Sequence, residues 1–148
     1  MELVPLVKHF EGLHRIVRRQ PAISVAPYLC PAGYWTIGYG HLCRPEQEEI
    51  DEALAEQLLH VDLDVARKQV FRLAPVPMSG HQLDALSSFV FNLGASRFRG
   101  STLRAHLLRN EFEEVPNQLR RWVFAGGRRL PGLVARREAE VDLWLGIT

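Results

Sequence analysis

The sequence predicts an α+β fold in which a small N-terminal β lobe is joined by one long helix to a larger helical lobe. Between Tyr28 and His41, short aromatic and β-branched pieces are punctuated by Pro31, Gly33, Gly38 and Gly40, which reads as a hairpin or a three-stranded sheet. From Glu46 to about Leu73 a helical apolar period takes over. Beyond Pro75 and Pro77 further helical stripes run nearly to the end of the chain.

Taken in order, Leu3, Leu6, Val7 and Phe10 follow helical spacing and place Glu11 near the C-terminal end of a first helix, with Gly12 ending or loosening it. Residues 14–27 hold two prolines and no sustained period, so a fraying helix end followed by a loop is expected. In the long helix, Ile50, Leu54, Leu58, Val61 and Val65 form the expected buried stripe. Gln82 to Leu93 offers Leu83, Leu86, Phe89, Val90 and Leu93 as the stripe of a central apolar helix, closed by Asn92-Leu93-Gly94. Ser101-Thr102 reads as the cap of a short helix, and another helix is expected around Gln118 to Val123. Gly126-Gly127 and Pro131-Gly132 bracket a turn before a last helix marked by Val134, Val141 and Leu145, with Arg136, Arg137, Glu138 and Glu140 as its charged side.

The chain has 148 residues, 47% hydrophobic and 24% charged, which suits one soluble domain and excludes disorder or a fibrous class. Two cysteines are too few for a disulfide scaffold, and no second ligand pair accompanies them, so free thiols and no metal or cofactor are expected. The N-terminal run is interrupted by Glu2 and Lys8 and is too short for a signal-peptide core or a membrane span, which predicts a protein kept in the cytoplasm. From residue 75 onward, 10 arginines face 7 carboxylates. Such a surface suits an acidic polymer or is a solvated arginine-rich helix face.

A carboxylate ending a helix opposite a turn-rich β piece can wall a cleft, and cleavage of a glycosidic bond needs an acid that protonates the leaving oxygen. Here Phe10 to Leu13, "FEGL", followed by Tyr28 to Leu42, "YLCPAGYWTIGYGHL", resembles the active-site signature of the phage lysozymes of glycoside hydrolase family 24. The resemblance continues in order through "LLHVDLDVARKQV" (58–70), "QLDALSSFVFNLG" (82–94), "FRGSTL" (98–103) and "GLVARREAEVDLWL" (132–145).

The resemblance implies a single lysozyme domain over 1–148, with its β lobe at about 12–46, a connecting helix at about 47–73, and a helical lobe at about 74–148 that includes the N-terminal helix. Between the lobes would lie a cleft that hydrolyses the β-1,4 bond between N-acetylmuramic acid and N-acetylglucosamine in peptidoglycan. Glu11 takes the place of the general acid, Cys30 the position held by aspartate or cysteine, and Thr36 the hydroxyl that orients a water. The interval from Glu11 to Cys30 exceeds the usual one, so residues 14–27 hold an insertion, whose Arg15, Arg18 and Arg19 either meet an anionic wall polymer or form a solvated loop. Phe91, Asn92 and Ser101 match positions lining the cleft on the helical side. Gly38 and Gly40 either let backbone approach a sugar or serve turn geometry.

For His41 the resemblance implies a structural pair with Asp62. The rival reading makes Cys30 the nucleophile and His41 the base of a peptidase, but Cys30 is followed by the turn Pro31-Ala32-Gly33 rather than by a helix N-terminus. A non-catalytic peptidoglycan-binding module would be marked by loss of Glu11 or of the Cys30 to Thr36 spacing, and both are retained. The expected partner is peptidoglycan glycan, with no nucleic acid and no stable membrane association. The expected state is a monomer held in the host cytoplasm until a holin lesion gives access to the wall.

Overall fold

The computed structural model describes residues 1–147. The chain forms two compact units, one of Val7–Asp62 and one of Met1–Leu6 together with the residues from Leu63 onward.

Helix α1 (Leu3–Glu11) buries Leu6 and Val7 completely. It stops where Gly12 adopts φ 65°, a left-handed conformation that only glycine enters without cost, and the Gly12 N–H caps the Lys8 carbonyl at 2.9 Å. The segment expected to be a loop is instead a hairpin, β1 (Ile16–Arg18) and β2 (Ser24–Val25). Strand β2 continues the sheet by pairing antiparallel with β6 (Ile50–Asp51), Val25 opposite Ile50. This distant strand satisfies the β2 backbone, and Val25 and Ile50 are both buried, which is why a stretch without local periodicity is ordered. A second antiparallel sheet contains β3 (Tyr28–Leu29), β4 (Trp35–Ile37) and β5 (His41–Leu42), with β4 central.

The long helix α2 is Glu52–Leu73 and begins later than the apolar period suggested. Ile50 and Asp51 are taken by β6, and the Asp51 carboxylate accepts the Leu54 N–H at 2.8 Å, an N-cap arrangement that starts the helix. Its buried stripe is Ala55, Leu59, Leu63, Ala66, Val70 and Leu73, whereas the expected Leu54, Val61 and Val65 are 41%, 58% and 50% exposed. The sequence offers two apolar rows side by side on this helix. The row containing the two alanines is the buried one, and small residues permit close approach. A Cβ built on Gly38, at φ 63°, would stand 3.0 Å from the Ala55 Cβ.

In the other unit, α3 (Gly80–Leu93) starts at a capping box between Ser79 and Gln82 and buries every residue from Ala85 to Val90. It packs against α7 (Pro131–Leu145). Between them in sequence lie α4 (Ala95–Arg99), α5 (Thr102–Leu108), a 3-10 turn at Phe112–Glu114 and α6 (Val115–Arg120). Helix α6 is set earlier than the expected 118–123 because Pro116 is tolerated in a first turn, where its missing N–H costs nothing. Phe89 centres the aromatic packing, edge-on to Phe98 at 6.3 Å and to Trp122 at 5.6 Å. The turn around Gly126-Gly127 joins β7 (Phe124–Ala125) to β8 (Arg128–Arg129).

The charged side expected for α7 is not solvated. Arg136, Arg137 and Glu140 are buried, ion-paired with one another and hydrogen-bonded to Ser88 and Asn92 of α3, while Glu138 faces out to Arg120. Leu145, one of the apolar residues that mark this helix in the sequence, is exposed.

Candidate active site

Glu11 is the last residue of α1, and its main-chain carbonyl is 2.9 Å from His14 Nε2. The His14 ring in turn rests on the Tyr28 ring, centroids 4.7 Å apart. Tyr28 pairs across the sheet with Thr36, so the strand alternation sets Tyr28, Cys30 and Thr36 toward one face. The Tyr28 phenol is pushed up to about 12, chiefly by burial and then by the negative charges of Glu11, Cys30 and Cys43. Tyr28 therefore lies close enough to Glu11, Cys30 and Cys43 to feel the charge of each. Sequence reasoning passed over it, although the register with Thr36 follows from the turn between β3 and β4.

Cys30 is a free, half-buried thiol at the end of β3. The turn after it is closed by Cys30 N–H to the Tyr34 carbonyl at 2.9 Å and Gly33 N–H to the Cys30 carbonyl at 2.8 Å. This geometry turns backbone donors onto the sulfur. The Tyr34 N–H is the largest influence and holds the thiol below its ordinary value. A burial penalty opposes it, and the Ala32 N–H, the Thr36 hydroxyl and the Gly33 N–H add to the lowering. The turn foreseen at Pro31-Ala32-Gly33 thus supplies backbone donors of the kind a helix N-terminus presents. Cys43, by contrast, is pushed up by burial and by Glu46.

Thr36 is buried, and its hydroxyl donates to the Tyr34 carbonyl at 3.0 Å. A threonine hydroxyl has one proton, so it serves either that carbonyl or the sulfur at any moment, and its lone pairs remain available to a water. His41 lies opposite Ile37 on β5, the other alternation from Thr36, and its Nδ1 is 2.8 Å from Asp62 Oδ2. Cys30 and His41 are therefore presented to different faces of the sheet, which removes the geometric basis of a Cys-His peptidase.

Of the insertion's arginines, Arg15 donates to the Pro27 carbonyl at 2.9 Å and Arg18 pairs with Glu49, so these two brace the hairpin. Gly38 makes its close approach to Ala55, and packing accounts for it.

The remaining candidates belong to the other unit. Phe91 and Asn92 are half-buried on α3, where the Asn92 amide oxygen accepts from Arg137 at 2.7 Å. Ser101 is the N-cap of α5, accepting the Arg104 N–H at 3.0 Å and donating to the Phe98 carbonyl at 2.6 Å. It also borders a concave pocket of about 290 Å³ with Thr102, Gln118, Arg121 and Trp122. Among the described residues no group of three or more His, Cys, Asp or Glu is placed to hold a metal, and no helix is long and apolar enough to cross a membrane.

The fold is that of a lysozyme. The muramidase domain of SpmX from Asticaccaulis excentricus superposes with a TM-score of 0.80 at 32% identity, covering 96% of this chain and 93% of that one. The SAR-endolysin of Escherichia phage Mu is 36% identical over 82% of this chain and 72% of its own length. The endolysin of Bacillus phage B103 is 36% identical over 96% of this chain, which spans only 52% of that protein. The phage lysozyme family model matches residues 9–140, and the chain belongs to that family. It is a glycosidase of the lysozyme type.

Proposed function

We propose that the protein is an endolysin that hydrolyses the β-1,4 bond between N-acetylmuramic acid and N-acetylglucosamine in bacterial peptidoglycan, and so lyses the host cell. The observation that carries this reading is the Cys30 thiol, set among backbone N–H groups beside the Thr36 hydroxyl, on the sheet face whose Tyr28 feels Glu11. Glu11 is the general acid that protonates the departing oxygen. Cys30 draws a proton from, or orients, a water that Thr36 also holds, and attack of that water from the opposite face of the sugar inverts the anomeric centre. Gly40, Phe91, Asn92 and Ser101 contact the glycan, and His41 with Asp62 holds strand to helix. The protein works as a monomer in a single domain, without cofactor, and reaches the wall from the host cytoplasm through a holin lesion.

The test is digestion of purified sacculi with both products measured. New reducing ends without new free amines are expected; free amines alone would sink the proposal.

A further inference from the structure

We infer that Arg137 is a positioning residue that fixes the amide of Asn92, so that both Asn92 N–H donors are turned away from the protein core to receive the acetamido carbonyl of an N-acetylated sugar. The inference rests on the glycan-cleaving function proposed above.

Arg137 is fully buried in α7 and lies over the Phe89 ring, 5.3 Å from its centroid. Its Nε is 2.8 Å from Glu140 Oε1, and Glu140, also fully buried, accepts the Ser88 hydroxyl at 2.6 Å. Burial pushes the Glu140 carboxyl up, and the guanidiniums of Arg137 and Arg136 with the Ser88 hydroxyl pull it back. A buried ion pair of this kind is seldom worth more to the fold than well-packed apolar side chains of the same volume. Its polarity therefore calls for another account. Of Ser88, Arg136, Arg137, Glu140 and Asn92, only Asn92 reaches the surface, being half-buried where the others are buried.

The chemistry of the contact fixes the amide. A guanidinium has donors only, so the Asn92 atom 2.7 Å from Arg137 Nη2 has to be the oxygen. The NH₂ group then points the other way with two unspent donors, and the held rotamer has already lost the entropy that a free side chain would lose on binding. Two fixed donors suit a carbonyl acceptor. Acetamido groups recur along the glycan, and removal of the acetyl leaves, at neutral pH, mostly an ammonium, which has no carbonyl and cannot accept such bonds.

The experiment compares cleavage of N-acetylated glycan strands with cleavage of enzymatically de-N-acetylated strands. Wild type should favour the acetylated strand about 10-fold in kcat/KM, the size of one or two hydrogen bonds, mainly through KM. Arg137→Met with Glu140→Gln removes the Arg137–Glu140 ion pair and leaves an amide oxygen for Arg136 and the Ser88 hydroxyl, and this double variant should keep the wild-type near-UV dichroism while its preference falls to within about 2-fold of unity. Asn92→Asp keeps the acceptor for Arg137 and removes the outward donors, so it should lose the preference alone and lose no more when combined with the double variant. Arg120→Ala, which removes the exposed pair between Arg120 of α6 and Glu138 of α7, should keep the preference intact. A folded double variant, or a folded Asn92→Asp, with wild-type preference would overturn the inference. If the double variant fails to fold, Asn92→Asp decides. If wild type cleaves neither strand, the hydrolase reading fails by itself, and calorimetric binding of the two strands decides: a wild-type preference lost in Asn92→Asp supports the inference, and equal binding of both strands overturns it.

Discussion

His41 Nδ1 stands 2.8 Å from Asp62 Oδ2, so a strand of two residues is bonded through a side chain to the long helix of the same compact unit. Short strands have few ladder bonds, and a side-chain bond of this kind carries a larger share of their stability. His41→Ala should lower the unfolding free energy by about 1 kcal/mol, read from the urea midpoint, because the pair is only part-buried. The same variant should retain glycan cleavage at temperatures where it is folded; loss of turnover in a folded preparation would give His41 a chemical role.

Glu11→Gln keeps the shape of the side chain and removes the transferable proton. Cleavage should fall by about 10² to 10⁴-fold or more while thermal unfolding changes little. Near-normal turnover in a clean preparation would take Glu11 out of the mechanism.

Replacement of Cys30 separates its roles. Cys30→Asp should retain activity and Cys30→Ala should lose most of it, with an inverted first product seen by NMR in wild type. A fully active alanine variant would remove Cys30 from the site, and a retained anomer would make it a nucleophile.

The two thiols should also differ in reactivity. Cys30 is lowered by backbone donors, so its thiolate forms, and is alkylated by iodoacetamide, at lower pH than an ordinary thiol; Cys43 is raised by burial and reacts only at higher pH. The sign carries over to stability. The depressed Cys30 contributes stability above its unfolded value that is lost as pH falls through its folded value, whereas Cys43 loses stability as pH rises past its unfolded value. Cys30→Ala and Cys43→Ala, followed by alkylation across pH, distinguish the two profiles, and coincident profiles would contradict the turn's role.

Gly38→Ala tests the close contact with Ala55. Its positive φ and the 3.0 Å approach together should cost about 1 to 3 kcal/mol. An unaltered melting temperature would show that the helix shifts to make room.

Much of this was legible in the sequence because it is locally encoded. Gly12 marks the end or a loosening of α1 after Glu11, Ser101-Thr102 reads as a helix cap, and the spaced turns around Gly33 and Gly38 announce a hairpin or a three-stranded sheet. What escaped was non-local. Nothing between residues 14 and 27 states that Val25 will pair with Ile50, and that pairing both orders the hairpin and delays the start of α2. On α2 the apolar period was visible but its phase was not, since Leu54 and Ala55 begin rival rows and Gly38, far off in sequence, selects between them. At the candidate site, residue type drew attention to Glu11, and the family resemblance to Cys30 and Thr36. The donors that tune the sulfur are backbone N–H groups, which have no letter in a sequence. Arg136, Arg137 and Glu140 read only as the charged side of the last helix, because Ser88 and Asn92, which bond them, lie on another helix.

The division of the chain into Val7–Asp62 and a second unit that unites Met1–Leu6 with residues from Leu63 onward has a consequence for synthesis on the ribosome. Every contact internal to Val7–Asp62 is available once that stretch has emerged, so it can fold while translation continues. Met1–Leu6 cannot: Leu6, fully buried in the finished protein, must wait for the residues from Leu63 onward. Translation order and folding order are thus reversed for Met1–Leu6.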